Sequence, residues 1–438
     1  MKYLYALFVA VPIAATAQAR PDLSQATARP ISLTDAVRLA QRNAPATIQA
    51  RGQTANSSAS LRTAYGAFLP NLSVSASGVR QGGDRLGERG TIVPFEGEPW
   101  QYGDGISANL ELFSGLRRFN NLRSVRANIA SAEANETLQD FNISLSVKQQ
   151  YYNVLAARES ESAARSQLEQ AEQQFKSAAA RVAQGAATKS DSLRSVIQVG
   201  NARLALLTAQ NNLNVGNATL SRLIGSADLV TAIDDTIEVP VGAALDSVQL
   251  AAFANDGPSV RQAAANVAAA GAAARSASAP YFPTIALSYN RSGSGFDRSF
   301  GYGTKRYFYQ NNLRLSLSYP LFNGFTREEQ VTRSRVQEDI ANAQLRDARL
   351  AAQQQLVQYV GALRLANERV QIQLASVDAA EEDLRVQQQR YSLGASTLLD
   401  LLTSQLTLNQ ARASLIQARL DARVARAQIE ALIGRELR

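Results

Sequence analysis

Apolar residues alternate with polar or small ones in four short stretches, two in each half of the chain. The apolar members are Leu72, Val74 and Ala76; Ile106, Ala108, Leu110 and Leu112; Ile285, Leu287 and Tyr289; and Leu313, Leu315, Leu317 and Tyr319. A period of two residues predicts four β-strands, each with one apolar and one polar face. Such strands suit a membrane barrel with a wet interior, or a soluble sheet packed on helices. Four strands are too few to close a membrane barrel, so the membrane interpretation requires several chains.

Two long segments that follow these strands show helical periodicity. They span residues 115–185 and 324–394, and neither contains a proline. Apolar residues recur at steps of seven, or of three and four, at Leu168, Ala171, Phe175, Ala178 and Val182 and at Leu356, Leu363, Val370, Val377, Leu384 and Tyr391. This spacing is typical of a coiled-coil seam, and about 70 residues of helix would extend roughly 100 Å.

The helices that return from these segments are shorter and end near Gly225 and Gly434. Each must therefore be continued end to end by another helix to match the length of its partner. One candidate starts at the capping box Ser32–Asp35 and is broken or kinked at Pro45, and its counterpart starts near Asp246.

One motif occurs twice, as RVAQGAATKSD at residues 181–191 and as RYSLGASTLLD at residues 390–400. Five positions agree at a constant offset, since residue 394 minus residue 185 gives 209: Arg181 and Arg390, Gly185 and Gly394, Ala186 and Ala395, Thr188 and Thr397, Asp191 and Asp400. A glycine after a long helix predicts a left-handed C-terminal cap, and Thr-x-x-Asp predicts the N-terminal cap of the next helix. Each copy is therefore the tip of a helical hairpin.

The repeat and the N-terminal sequence predict the division of the chain. A charged start, an apolar run from Leu4 to Ala15 and the sequence Ala17-Gln18-Ala19 indicate a secretory signal peptide over residues 1–19. A membrane anchor is the alternative, but the run is shorter than about 20 apolar residues. We expect a first structural repeat at 20–225, a connector at 226–245 and a second repeat at 246–438, each repeat with a helix, two strands and a long helical hairpin.

Composition narrows the possible chemistry. The 438 residues include no cysteine and no histidine, which excludes disulfides, thiol nucleophiles and thiolate or imidazole metal ligands. No phosphate-binding loop or Ser-x-x-Lys cluster is present, so we expect no enzyme, no catalytic residue, no metal and no cofactor. The formal net charge is +8, but arginines alternate with acidic residues along helical faces, and no nucleic-acid partner is expected.

Three kinds of motif, in this order and in duplicate, resemble the TolC-like outer-membrane factor (outer membrane efflux protein) family. They are Leu-Pro-x-Leu before the first strand, Leu-Phe-x-Gly at 112–115 and 321–324, and the two glycine-centred tips. The resemblance covers essentially the whole mature chain. It implies a mostly α fold with membrane β, in which a homotrimer forms a 12-strand outer-membrane β-barrel continued by a periplasmic α-helical coiled-coil barrel.

The same resemblance implies a function and its partners. The chain would be a passive exit duct of a tripartite efflux pump or of a type I secretion system, working with a periplasmic adaptor protein and an inner-membrane transporter, in the outer membrane of a Gram-negative cell and in contact with its lipid. Efflux and protein secretion stay equally open. The alternative is an exported coiled-coil structural or scaffold protein without a channel, for which four one-sided strands have no use.

The resemblance also assigns residues at the tips. Asp400 falls at a ring-forming gate aspartate, and Asp191 and Tyr391 fall at a link between helix pairs. Ser396 stands where an arginine is usual, and Thr403 stands at the second ring aspartate. Adaptor docking is implied for Arg181, Gly185, Ala186, Arg390, Leu393, Gly394 and Ala395. The simpler interpretation is helix capping for the two aspartates and seam packing for Tyr391.

Aromatic residues between the strands are candidates for a girdle at the lipid interface. They are Phe95, Trp100, Tyr102, Phe300, Tyr302, Tyr307, Phe308 and Tyr309. Ordinary loop packing is the alternative for each of them.

Overall fold

The structure, a computed structural model, describes residues 28–86, 90–94, 100–185, 188–233, 247–297 and 307–437. Several sequence predictions lie outside these residues: the signal peptide, Ala186, the helix start at Asp246, and the aromatic residues Phe95, Phe300 and Tyr302.

The elements follow one another in two similar series. The first comprises β1 (Arg29–Ile31), α1 (Leu33–Asn43), α2 (Pro45–Gly66), β2 (Asn71–Arg80), β3 (Asp84–Leu86), β4 (Ile92–Pro94), β5 (Trp100–Ser114), α3 (Arg117–Ala183), α4 (Lys189–Ile224) and β6 (Val230–Ala232). The second comprises α5 (Ser247–Ala254), α6 (Pro258–Ala277), β7 (Thr284–Asp297), β8 (Tyr307–Ser318), α7 (Thr326–Ser392) and α8 (Leu398–Ile433). The four strands and the long hairpins predicted from the sequence are confirmed, while the division at 20–225, 226–245 and 246–438 stays a prediction.

Four strands form one antiparallel sheet in the order β2-β5-β7-β8. Its register places the predicted apolar sets on one face, with Leu110 opposite Leu287 and Leu287 opposite Leu315. One prediction is wrong: a register shift between Glu111 and Phe113 puts Phe113, not Leu112, opposite Ile285. A β-bulge inserts one unpaired residue and so reverses the alternation that follows it.

The far end of the apolar face carries aromatic side chains. Four of them lie on the same face of the sheet as the apolar set: Trp100, Tyr102, Tyr307 and Tyr309. Phe308 pairs with Ser294 on the opposite face. Trp100 and Tyr102 stack with their ring centroids 6.2 Å apart. The expected girdle therefore excludes Phe308.

At each junction between a strand and a long helix, two successive residues adopt the left-handed backbone conformation. Gly115 and Leu116 have φ of +59° and +63°, and Gly324 and Phe325 have φ of +65° and +64°. Two successive left-handed residues reverse the chain direction, and the non-glycine residue costs about 1–2 kcal/mol at each joint. The helices α3 and α7 that follow both contain 67 residues, which corresponds to roughly 100 Å. None of the described helices combines the length and the apolarity needed to cross a membrane.

The short helices continue the return helices, as predicted. Ser32 caps α1 by accepting the Asp35 N–H at 3.2 Å, and Pro45 and Pro258 open α2 and α6 at the positions where proline costs least. Gly225 and Gly434 cap α4 and α8 with φ of +68° each.

The long helices lie side by side in a fixed order. Helix α4 packs on α3, α3 on α8, and α8 on α7, so α4 and α7 are the outer helices of the array. Nearer the sheet the order is α2, α3, α6 and α7. The predicted seam is buried at Ala171, Ala178, Leu356 and Leu384. The alanines at positions 171 and 178 let the helix backbones approach closely there.

A core halfway along α3 joins the two ends of the first repeat. Strands β1 and β6 pair in parallel and cover Tyr151, which is 1% exposed. The Tyr151 hydroxyl lies 3.0 Å from the Ile31 carbonyl and 2.7 Å from the Ile233 carbonyl. This small sheet could not be predicted from the sequence, because strands of three residues are too short to show a period of two.

An ion pair joins the two halves at the same level. Lys148 on α3 donates to Glu430 on α8 at 2.6 Å, and both side chains are mostly buried. Glu430 also accepts from Arg426 at 3.3 Å and from the Leu437 N–H at 3.2 Å. Because several donors satisfy the carboxylate, its burial is compensated.

Candidate functional site: the helical tips

The two tips have the same local structure. Helix α3 ends before Gly185 with φ of +70°, and α7 ends before Gly394 with φ of +75°. Turn hydrogen bonds satisfy carbonyl groups at both helix ends. The Gly185 N–H donates to the Val182 carbonyl at the first tip, and the Gly394 and Ala395 N–H groups donate to the Tyr391 and Arg390 carbonyls at the second. The predicted left-handed caps are confirmed.

A complete capping box follows each glycine. The Asp191 carboxylate accepts from the Thr188 N–H at 3.1 Å and from its hydroxyl at 2.8 Å, and the Asp191 N–H donates to the same hydroxyl at 3.3 Å. Asp400 and Thr397 repeat these contacts at 2.9, 2.7 and 3.2 Å. Both aspartates therefore have the structural role that the simpler interpretation predicted.

The environment of Asp400 favours its charged form. The pKa of this carboxyl is lowered mainly by the hydrogen bond from the Thr397 hydroxyl, and to a smaller extent by the hydrogen bond from the Thr397 N–H. The positive charge of Arg390 lowers it further. Because the folded-state pKa is lowered, the stabilisation of the cap is present above the usual aspartate pKa. It is lost as the pH falls through the lower folded-state value.

Arg181 connects the two tips. Its guanidinium donates to the Tyr391 carbonyl at 3.1 Å and to the Ser392 carbonyl at 3.3 Å, and it lies 4.8 Å from the centroid of the Tyr391 ring. A cation at the end of α7 also complements the helix dipole. We call this set of contacts from Arg181 to Tyr391 and Ser392 the Arg181 clasp.

The clasp replaces the link that the resemblance implied. Within the described residues, Tyr391 makes no hydrogen bond to Asp191, whose carboxylate is bound to Thr188. Tyr391 instead packs against Leu384 and Leu401 below the Arg181 guanidinium. The Asp191–Tyr391 link is thus not formed in this conformation, and the gate roles of both residues stay predictions.

The other predicted tip residues fall into two groups. Leu393 is 83% exposed, and Arg390, Gly394 and Ala395 at the same tip and Gly185 at the first tip are also exposed. Ser396 is half-buried, and its hydroxyl has no hydrogen-bond partner within the described residues. Thr403 donates to the Leu399 carbonyl of its own helix at 2.9 Å, so it does not replace an aspartate in charge or in reach.

A groove of about 860 Å³ separates the two hairpins next to the clasp. Its wall is mostly neutral and polar, and includes Ser166, Glu169, Gln170, Gln173, Gln174, Ser177, Arg181, Gln388, Tyr391, Ser392, Leu398 and Leu401. No cluster of acidic side chains suited to a metal ion occurs in the described part of the chain. The tips therefore offer an exposed surface and a groove between the two hairpins.

The clasp predicts a difference between two arginines that the repeat makes equivalent. Arg181→Gln should lower the local stability of the second tip by about 1–2 kcal/mol, because the carbonyl oxygens of Tyr391 and Ser392 lose a charged donor. The amides of Gly394 and Ala395 should then exchange with solvent roughly tenfold faster. Within the described residues, Arg390 donates one hydrogen bond, to the Ala395 carbonyl of its own tip at 3.4 Å. Arg390→Gln therefore removes no hydrogen bond between the two tips and is the control. Equal exchange in the two variants, measured by mass spectrometry, would refute the clasp.

The sheet has one exposed apolar face and continues into two helices of 67 residues, each packed on a return helix of 36 residues. This architecture is that of the outer-membrane channel class of proteins. The protein-family model described as outer membrane efflux protein matches residues 36–226 and 251–435. The chain belongs to this family.

Individual relatives agree with this assignment. The chain is 28% identical over 390 residues to the pyoverdine export outer membrane protein OpmQ of Pseudomonas aeruginosa, covering 84% of this chain and 76% of OpmQ. It is 25% identical over 368 residues to the probable efflux pump outer membrane protein TtgC of Pseudomonas putida, with coverage of 81% and 72%. The crystal structure of the outer membrane protein VceC of Vibrio cholerae superposes with a TM-score of 0.73 at 17% identity, covering 93% of this chain and 97% of VceC.

Family membership confirms three predictions from the sequence: the resemblance itself, the location in the outer membrane and the function as an exit channel for efflux or secretion. It decides against the exported scaffold protein. The family and these relatives are named as outer-membrane and efflux proteins, not as enzymes.

Proposed function

We propose that three copies of this chain form one exit duct, which receives cargo from an inner-membrane transporter through a periplasmic adaptor and is gated at the helical tips. The observation that carries the proposal is that, in the described part of each chain, the sheet and the helical layer both end in two unpaired edges. Strands β2 and β8 are the two edges of the sheet, and helices α4 and α7 are the two edges of the helical layer.

The edge helices carry unpaired apolar stripes. On α4 and α7 the following side chains are each more than half exposed: Leu193, Ile197, Leu204, Leu207, Val215, Leu350, Val357, Leu365 and Ile372. An interface between two different edges of identical chains generates a ring when the rotation closes. Three four-stranded sheets joined edge to edge give a barrel of about twelve strands, within the range of membrane barrels. This closure also removes the exposed strand edges.

The tips suit the docking of an adaptor. The exposed Leu393 directly follows Ser392, which lines the groove beside the Arg181 clasp. A helical hairpin is the partner whose shape fits a groove between two hairpins. The similarity to OpmQ, an export protein, and to TtgC, a probable efflux pump protein, supports a pump as the partner system. A type I secretion system stays the alternative.

The gate would combine charge with constraint. Three Asp400 carboxylates around a narrow throat repel one another and attract cations. The Arg181 clasp holds the second tip against the first hairpin, and so opposes this repulsion. Binding of the adaptor to Leu393 and Gly394 would favour the open state by contacting it more strongly than the closed one.

The test is single-channel conductance of the purified trimer in planar bilayers, for wild type and Asp400→Asn. Asparagine keeps the capping acceptor and removes the charge. We expect small wild-type steps that divalent cations block from the tip side, and relief of the block by at least tenfold in Asp400→Asn.

The matched control is Asp191→Asn, which changes the equivalent cap in the first tip. Relief of the block in both variants alike would show that the block does not depend specifically on a ring of Asp400 charges. A well-folded trimer without any conductance would contradict the channel itself.

A further inference from the structure

The polar face of the four-stranded sheet is nearly free of charge. Strand parity assigns to it Asn71, Ser73, Ser75, Ser77, Gln101, Ser107, Asn109, Ser288, Asn290, Ser292, Ser294, Gln310, Asn312, Ser316 and Ser318, besides glycines and a few apolar residues. The charged residues that the described strands place on this face are Glu111 and Arg314. In the proposed trimer this face lines the barrel, so these two residues set its charge.

Glu111 is neutralised within its own chain. The Arg117 guanidinium, at the start of α3, donates to both carboxylate oxygens of Glu111 at 2.9 Å. A two-fold contact of this kind fixes both groups and leaves no net charge at the site.

Arg314 has no such partner. It is exposed, and its register neighbour on β7 is Ser288. Within the described residues, no carboxylate forms an ion pair with Arg314 and no acceptor takes a hydrogen bond from it. The polar face of each chain thus carries one uncompensated positive charge.

We propose that the three Arg314 side chains form a ring inside the barrel that makes this end of the duct select anionic solutes over cationic ones. The inference depends on the proposed trimeric channel. It identifies the residue that determines charge selectivity, and it identifies negatively charged or neutral solutes as the favoured class of cargo.

The size of the barrel gives the expected effect. Twelve tilted strands spaced 4.8 Å apart enclose a radius of about 13 Å, which places inward-pointing guanidinium groups roughly 8 Å from the axis. At physiological salt, three charges at that distance concentrate a monovalent anion about threefold and deplete a cation by a similar factor. The anion-to-cation permeability ratio should therefore rise roughly sevenfold.

The same sheet offers a matched control residue. Arg291 lies on the apolar face, opposite Ile106, and its guanidinium is 4.7 Å from the centroid of the Tyr309 ring. Arg291→Gln removes the same charge from the outside of the barrel, where it has little effect on the solution along the axis.

The experiment measures reversal potentials of single trimers in a potassium chloride gradient. All variants carry Asp400→Asn, so that the proposed aspartate ring at the tips adds no cation preference of its own. We expect Arg314→Gln to lower the anion-to-cation ratio about fivefold or more, Arg314→Lys to retain the ratio, and Arg291→Gln to leave it unchanged. The difference should disappear near 1 M salt, where the screening length falls to about 3 Å.

Two results would overturn the inference, and they are distinguishable. An unchanged ratio in a conducting Arg314→Gln channel would remove Arg314 from selectivity while leaving the channel intact. The absence of conductance in every variant would reject the proposed channel, and the ring with it.

Discussion

Leu315→Arg is expected to prevent assembly of the protein in the outer membrane. Leu315 lies in β8 on the apolar face, next to Leu287, and is 68% exposed in the single chain. If this face contacts lipid, an arginine near the bilayer midplane costs about 2–4 kcal/mol per chain, and thus roughly 6–12 kcal/mol per trimer. Folded trimer in outer-membrane fractions, detected as a heat-modifiable band on gels, should fall below a tenth of the wild-type amount.

The neighbouring residue provides the control for Leu315. Ser316 has the opposite parity and pairs with Ala286 on the polar face, so Ser316→Arg adds the same side chain to the wet side of the sheet. We expect near-normal amounts of trimer from this variant. Equal loss in the two variants would mean that both faces of the sheet are buried in the assembled protein.

Tyr151→Ala is expected to have the second largest effect, through the core that joins α3 to β1 and β6. Truncating a fully buried aromatic ring leaves a cavity and costs about 3–5 kcal/mol. The carbonyl groups of Ile31 and Ile233 and the Ile233 N–H also lose their contact with the hydroxyl. We expect fast amide exchange in residues 29–31 and 230–232 and a thermal midpoint in detergent lowered by several degrees.

Two further variants separate packing from hydrogen bonding at Tyr151. Tyr151→Phe keeps the ring and leaves buried polar groups unpaired, for a cost of about 1–3 kcal/mol. Tyr65→Phe is the surface control: the Tyr65 hydroxyl accepts from Arg126 at 2.8 Å, but the residue is 48% exposed and water can replace the lost contact. A Tyr151→Phe protein as stable as Tyr65→Phe would show that the hydroxyl contributes little.

The tips and the barrel would impose opposite charge preferences on the same path. Asp400 carries a negative charge at the tip, whereas Arg314 leaves a positive one on the polar face of the sheet. Thr403 adds no charge at the tip and bonds within its own helix. If both proposals hold, cargo that passes the two regions would meet a weak cation preference first and an anion preference later.

Much of this architecture could be predicted from the sequence because the physical causes are local. Alternation with period two predicts strands, and steps of three, four and seven predict paired helices. The caps at Gly185 and Gly394 and the boxes at Thr188 and Thr397 depend on residues within four positions of one another. The repeat then doubled the evidence for each of these features.

Contacts between residues far apart in the chain could not be predicted in this way. The Arg181 clasp joins residues that are 210 positions apart, and its formation depends on the order of packing of α3, α7 and α8. The bulge at Leu112 changes the register of β5 by one residue. The order of apolar residues along the strand does not reveal this shift, so it could not be predicted from the sequence.

The sequence by itself determined the strands, the long helices and the turns, because each depends on backbone preferences and on the period of apolar residues over a few turns. Only the tertiary structure decided which polar groups are satisfied. It showed Asp191 bound in its own cap, Glu111 neutralised by Arg117, and Arg314 left without a partner among the described residues. Pairing of charges depends on distances between separate elements, and those distances are fixed by packing.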